Sequence, residues 1–327
     1  MRKEALETQY LQVLQERVQL TTTEQAKFQR AQAGYQGECT FDRWSAELLT
    51  DCLDDVNLSY QGSRCQMDKL FVHGSDLYVI DVKNYNGAYS YQAGCWYYNG
   101  RVLAHNIFEQ LTRAQDLLAR CLSDQHVKLQ VKSVLVFMDP RVQLDLTDPP
   151  AHIEIKSAAD AYAWLVSLNQ EKFAMVTPPW KQAVRHYEVP GYRPRQDLGD
   201  TPRRHYRHGI RCVHCGQFAM SQGRYAVTCQ HCGTSEAKEH AYVRTICDYG
   251  VLFFKRDLRR RDLCEFFGEG YSERYLTFVL SKHFVSKGKR RARNFAYINK
   301  GIRFQYWFAD KSDYFRKIQQ RINWERQ

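Results

Sequence analysis

The alternation of apolar and polar positions divides the chain into a helical start, an α/β centre and a mostly helical end. Leu6, Tyr10, Leu14 and Val18 recur every fourth position with few breakers around them, which predicts one long amphipathic helix over 1–33. The pattern leaves open whether this helix docks on its own chain or pairs with another subunit. A second helix is predicted from Gly34 to about Leu53, with Phe41, Trp44, Leu48 and Leu49 on a common apolar side. Residues 65–73 and 77–83 read as strands joined through His73-Gly74-Ser75-Asp76, and 89–91 with 95–98 as a hairpin about Gly94. A helix over 106–122 turns Ile107, Leu111, Ala114, Leu118 and Cys121 inward, and 131–138 is an apolar, β-branched run suited to a buried strand. Ser157-Ala158-Ala159-Asp160 is a capping box for a helix over 161–168. This order predicts an α/β sandwich with a mixed sheet.

One strand carries candidate chemistry. Side chains alternate along it, so Leu77, Val79, Asp81 and Lys83 share a face while Tyr78, Ile80 and Val82 share the other. One face is wholly apolar; the other ends in Asp and Lys. Antiparallel pairing through the 74–76 turn brings Asp68 of the preceding strand near Asp81. Two carboxylates beside an ammonium group are costly to bury uncompensated. A hard divalent cation with oxygen ligands is the natural compensation. Mg²⁺ or Mn²⁺ on Asp68 and Asp81 would polarise a phosphate oxygen and acidify a water, with Lys83 stabilising charge and Glu38 offering a third carboxylate. A bare D-x-K triplet also describes an ordinary ion pair at a strand end.

The wider context carries more. Gly34-Tyr35-Gln36-Gly37-Glu38, then Gln66-Met67-Asp68-Lys69, then the apolar strand ending Asp81-Val82-Lys83-Asn84 resemble the NERD (nuclease-related) domain. Its pattern reads G-x-x-G-E, Q-I-D-H and a strand ending E-x-K-N, and the domain looks like a branch of the PD-(D/E)XK nuclease superfamily. The resemblance covers roughly residues 34–150 and implies Glu38, Asp68, Asp81 and Lys83 as the active-site set, with Gln110 as a contribution from the following helix. Asp81 replaces the usual Glu, which the superfamily pattern allows, and Lys69 stands where the family has His. The resemblance also implies a bacterial host and a role in DNA processing or defence against foreign DNA.

Charge adds a second theme. Residues 1–189 hold 19 Lys and Arg against 23 Asp and Glu, a net of −4, whereas 190–327 hold 28 against 13, a net of +15. An acidic half joined to a strongly basic one suggests a catalytic module with a polyanion-binding module. An apolar content of 44% is enough to fill folded cores. No run approaches the roughly 18 apolar residues of a membrane span, and the polar start Met1-Arg2-Lys3-Glu4 is no signal core, so a cytoplasmic protein is expected.

Eleven cysteines in such a chain are not a disulfide framework. Four of them, Cys212, Cys215, Cys229 and Cys232, form C-x2-C-x13-C-x2-C, with Gly216 and Gly233 after each second cysteine. Two such knuckles hold one structural Zn²⁺, as in a zinc ribbon, and leave no open position for catalysis. His214 and His231 inside the knuckles are read as surface residues.

Beyond the ribbon, Lys255, Arg256, Arg259, Arg260 and Arg261 precede an apolar helix, a Gly268-Glu269-Gly270 turn and a helix capped by Ser272. The run Lys287, Lys289, Arg290, Arg291 and Arg293 then leads into Phe295-Ala296-Tyr297-Ile298. This order looks like a winged helix-turn-helix, placing Glu273, Arg274, Thr277 and Lys282 at a major groove and the basic runs on phosphates. A helical dimerisation domain with a solvated basic face is the bland counterpart.

The expected organisation is an N-terminal helix (1–33), a PD-(D/E)XK-like α/β domain with a mixed sheet flanked by helices (34–189), a linker (190–209), a small four-cysteine zinc ribbon (210–234) and a basic, mostly helical, winged-helix-like domain (235–327). The expected function is Mg²⁺-dependent hydrolysis of DNA phosphodiesters, with RNA as a competing substrate. The alternative is a nucleic-acid sensor or regulator that uses the nuclease fold as a scaffold. Homo-oligomers through the first helix or the C-terminal region are compatible with both.

Overall fold

The N-terminal stretch breaks where its periodicity does not. Two helices, α1 (Leu6–Arg17) and α2 (Thr22–Leu48), replace the single helix expected over 1–33 and the second from Gly34. The break is made by a capping box: the Thr21 hydroxyl accepts from Glu24 N–H at 3.3 Å, and the Glu24 carboxylate accepts from Thr21 N–H at 2.9 Å. Gly34, read as the start of the second helix, lies inside α2, as does Gly37, since an interior glycine costs a helix only about 1 kcal/mol.

The computed structural model describes residues 2–49, 51–171, 179–288 and 295–324. The chain forms two units: Arg2 with Gln29–Gly191, and Lys3–Phe28 with Tyr192–Gln327. No helix among the described residues is long and apolar enough to cross a membrane.

The first unit continues from α2 into β1 (Cys52–Tyr60), β2 (Ser63–His73), β3 (Asp76–Lys83), β4 (Gly87–Gln92), β5 (Cys95–Tyr98), β6 (Arg101–Val102), α3 (Ile107–Asp124), β7 (Gln130–Phe137), β8 (Val142–Leu146), β9 (Ile153–Ser157), α4 (Ala158–Gln170) and α5 (Trp180–His186). The main sheet runs β1-β2-β3-β7-β9, antiparallel through β3 and parallel from β3 to β9, so it is the expected mixed sheet flanked by helices. A smaller sheet has the order β6-β5-β4-β8. Strand β1 was missed because its first residues, next to the helix end, read as helix. On one face of β3, Leu77 and Val79 join Leu135 and Phe137 of β7 beneath Leu111, Leu117 and Leu118 of α3. On the other, Tyr78, Ile80 and Val82 join Val134 and Val136 beneath Phe41 of α2 and Leu165 of α4. Burial on both faces explains the near-continuous apolar run of a central strand.

The second unit contains α1, β10 (Met220–Gln222), β11 (Ala226–Cys229), β12 (Ser235–Ala237), α6 (Lys238–Leu252), α7 (Arg260–Phe267), α8 (Glu273–His283), β13 (Ser286–Lys287), β14 (Ala296–Tyr297), α9 (Phe304–Trp307) and α10 (Ser312–Trp324). Helix α1 docks on its own chain: Leu11, Val13 and Leu14 share a core with Val243, Ile246 and Cys247 of α6. The stretch expected as a linker contributes Leu198 to that same core. Leu258 exchanges two backbone hydrogen bonds with Tyr297, both 2.8 Å, so the order along this helical region is α6, Leu258 bridge, α7, α8, β13, β14. The Ser272 hydroxyl caps α8 by accepting from Tyr275 N–H, and Gly268 and Gly270 make the preceding turn at φ of 74° and 82°.

Gly37 sets how closely α2 approaches the end of β3. A Cβ at this position would lie 2.7 Å from Asn84 Cβ, while Asn84 Nδ2 donates to Ala33 O of α2 at 2.7 Å. Glu38 is the next residue, so this close approach also places it. We expect Gly37→Ala to destabilise the first unit by about 1–3 kcal/mol, as overpacking does, measured by urea denaturation. An unchanged midpoint would show that Asn84 yields without cost.

Candidate functional site

The site forms where β2 stops pairing with β3. The β2–β3 ladder ends at Lys69 opposite Ile80, and the pairing of β1 with β2 skips Asp55 and Asp68. Asp55 takes φ of 51°, a left-handed conformation that Asp tolerates better than most residues. The freed Asp68 carboxylate then accepts from Val82 N–H at 2.8 Å, in place of a ladder bond. Asp81 and Lys83 lie on the same face of β3, with Nζ donating to Asp81 Oδ1 at 2.8 Å. Asp81 Oδ2 is buried and, among the described residues, has no hydrogen-bond partner.

Glu38 and Asp42, one helical turn apart on α2, close the other side through Arg2. The Arg2 Nη1 donates to Glu38 Oε2 and its Nε to Asp42 Oδ2, each at 2.8 Å, and Nη2 donates to the Asp68 carbonyl at 2.5 Å. Lys69, where the family pattern has His, is buried; its Nζ reaches Ser45 Oγ at 2.6 Å, Asp42 at 3.0 Å and Asp54 at 2.8 Å. Gln66 Nε2 donates to Asp55 Oδ1 at 2.8 Å.

Negative charge exceeds what these cations neutralise. Burial, then the charges of Glu38 and Asp81, push the Asp68 carboxyl well above its ordinary range, against Lys83 and Arg2. Burial likewise raises Glu38 despite the Arg2 charge, and raises Asp55. Burial works to discharge Lys83, but Asp81 and Asp68 outweigh it and hold the ammonium charged. Asp42 is held low: burial opposes this, and the hydrogen bonds and charges of Arg2 and Lys69 prevail. An all-oxygen donor set with an unpartnered buried Asp81 oxygen fits a hard divalent cation. The carboxylates of Glu38, Asp68 and Asp81 are not as tightly gathered as the cysteines described below. Gln110 is exposed on α3 and, among the described residues, forms no side-chain hydrogen bond with the acidic group.

Residues 33–138 match the family model of the nuclease-related domain. The match runs from within α2 to the end of β7 and includes Glu38, Asp68, Asp81, Lys83 and Gln110. No curated protein and no solved structure matches the chain. Sequence reasoning missed Arg2, Asp42, Asp54 and Asp55 around the nuclease-related site. Asp42, at helical spacing from Glu38, carried a usable signal; Arg2, distant in sequence, carried none.

The four cysteines converge in the second unit. Their sulfurs lie within 4.8 Å of one another, with Cys212 to Cys232 at 3.6 Å and Cys215 to Cys229 at 3.5 Å. Tetrahedral zinc with bonds of about 2.3 Å requires sulfurs about 3.8 Å apart, so this cluster could bind zinc. The two knuckles repeat one geometry. Gly216 N–H donates to Cys212 O and Gly233 N–H to Cys229 O, with φ of 73° and 74° at the glycines. Hydrogen bonding with Thr234 lowers the Cys232 thiol, whereas Cys215, against its hydrogen bond with the Gln217 backbone, is raised by burial and the neighbouring cysteine sulfurs. His214 and His231 are exposed.

The basic residues divide by engagement. Lys255 pairs with Asp200, Arg260 with Glu273, Lys282 with Glu239 and Lys287 with Asp257. Arg256 donates to Gly199 O at 3.4 Å. Arg259, Arg261 and Arg274 are exposed and form no ion pair among the described residues. Lys289, Arg290, Arg291 and Arg293 lie outside the described residues.

Asp68 yields a pH test. A carboxyl raised in the fold favours folding while protonated, and that contribution is lost as pH rises from the ordinary carboxylate range through the raised value. Without divalent cations, Asp68→Asn should therefore melt at a higher temperature than wild type at pH 8, with the gap closing toward pH 4. Melting curves in EDTA across pH read this directly; a variant less stable at every pH would contradict the cation deficit.

Proposed function

We propose that the nuclease-related domain hydrolyses DNA phosphodiesters with a divalent cation, Mg²⁺ or Mn²⁺, held by Asp68 and Asp81. The observation that supports this most is Asp81, which gives one oxygen to Lys83 and keeps the other buried without a partner. Bound there, the cation would supply Lewis acidity toward a phosphate oxygen and lower the pKa of a water. Lys83, kept charged by its acidic neighbours, holds its proton at Nζ and offsets charge gathering on the phosphate. Val82 N–H fixes the Asp68 carboxylate in place. Glu38 stands beside them as a third carboxylate.

In the second unit, Cys212, Cys215, Cys229 and Cys232 would hold a structural Zn²⁺, supplying folding energy to the small sheet β10-β11-β12. The winged arrangement presents Arg259, Arg261 and Arg274 to DNA phosphates, with α8 as the helix that enters the groove. A second reading, nucleic-acid binding without cleavage, is favoured by the Arg2 contacts, which occupy Glu38.

Cleavage of mixed DNA and RNA substrates with Mg²⁺, Mn²⁺ or EDTA separates these readings. Metal-dependent cutting of DNA, lost in Asp81→Ala and Lys83→Ala with binding retained, is the expected result. Binding without cutting on every substrate would establish the scaffold reading instead.

Salt titration tests the basic surface. Every arginine removed from a phosphate lowers the slope of log K against log salt by about 0.9. Combined Arg259→Ala, Arg261→Ala and Arg274→Ala should therefore flatten the slope by about 2.7. An unchanged slope would remove these arginines from the interface.

A further inference from the structure

Arg2 is bound as a metal ion would be, by oxygens from three separate residues. Glu38 Oε2 and Asp42 Oδ2 each lie 2.8 Å from its guanidinium, Asp42 Oδ1 lies at 3.2 Å, and the Asp68 carbonyl at 2.5 Å. Its side chain is 2% exposed, and the Tyr35 hydroxyl donates to its carbonyl at 3.0 Å, fixing the backbone as well. This is no surface ion pair, because removing the guanidinium would leave Glu38 without its cation in a largely buried setting. Asp68 is shared between two places: its carbonyl faces Arg2, and its carboxylate lies by Val82 on the side of Asp81. On that second side Asp81 Oδ2 remains unpartnered.

Enzymes that hydrolyse phosphodiesters with two metal ions hold them about 3.5–4 Å apart, bridged by shared oxygens. Here a guanidinium sits on one side of Asp68 and an unfilled oxygen on the other. We infer that Arg2 is the resident second cation of this site: it takes the place of a second divalent ion, so the domain binds a single divalent cation at Asp68 and Asp81. Glu38 then acts as a positioning residue that holds Arg2 rather than the metal. A guanidinium is well suited to the task, being always charged and able to address several oxygens in fixed directions. The inference rests on the reading of Asp68 and Asp81 as a divalent-cation site.

The test counts Mn²⁺ on the full-length, zinc-loaded protein, by the electron paramagnetic resonance of free Mn²⁺ during titration. Wild type should bind one Mn²⁺ per chain, and Asp81→Asn should lose it. Arg2→Ala should bind two, and Arg2→Lys, which keeps the charge, should return the count to one. Two Mn²⁺ in wild type, or one or none in a folded Arg2→Ala, would overturn the inference while leaving the cation site standing. No Mn²⁺ in wild type would overturn the cation site and the inference together. Circular dichroism establishes that the variants fold, and the wild-type count decides between one ion and two even if Arg2→Ala does not.

Discussion

Negative charge buried at the end of β3 is the constraint around which the first unit is arranged. Asp68 lies beside the strand end that carries Asp81, and burial, then the charges of Glu38 and Asp81, make its carboxyl costly to ionise. Each neighbouring element answers that cost. Lys83 reaches back along its own strand to Asp81, and Val82 gives its N–H to Asp68. Helix α2 brings two more carboxylates, yet Arg2 and Lys69 accompany them as a buried network with Asp42 as the common partner. The Asp81 oxygen left over marks where the protein's own cations stop.

The same constraint accounts for several choices along the chain. Gly37 lacks a side chain because α2 must meet Asn84, directly after the lysine strand end. Asp55 adopts a left-handed backbone and interrupts the β1–β2 ladder opposite Asp68. Local irregularity in otherwise regular strands sits beside the acidic cluster, at the end of the parallel pair β3–β7.

The second unit solves a different problem. Its small sheet β10-β11-β12 has little to bury, and four sulfurs gathered at 3.5–3.6 Å across the knuckles offer a metal as staple. Helix α1, whose docking the pattern left open, and Leu198, from the stretch expected as a linker, complete the core around α6. Part of the basic character seen in the sequence is engaged internally: Lys255, Arg260, Lys282 and Lys287 neutralise acids of the same unit. Arg259, Arg261 and Arg274 keep their charge for solvent or a ligand.

Much of this was legible from local pattern. Alternation along 77–83 placed Asp81 and Lys83 on one face, the Ser272 cap and glycine turn announced α8, and the cysteine spacing announced the knuckles, because each depends only on residues a few positions apart. The nuclease-related motif was readable for the same reason. Helix boundaries fared worse where glycine was taken as a stop and the Thr21–Glu24 capping box passed over, since tertiary packing tolerates the one and the other needs no apolar signal. Strand β1 was hidden because its pairing with β2, not its own composition, makes it a strand. What only the tertiary structure decided is the charge balance of the site. Arg2 meets Glu38 across 36 positions and Lys69 meets Asp42 across the helix–sheet interface, and no short-range periodicity encodes a contact made by folding. The sequence by itself determined which groups carry charge; the fold determined which of them are left uncompensated, because compensation depends on distance and burial.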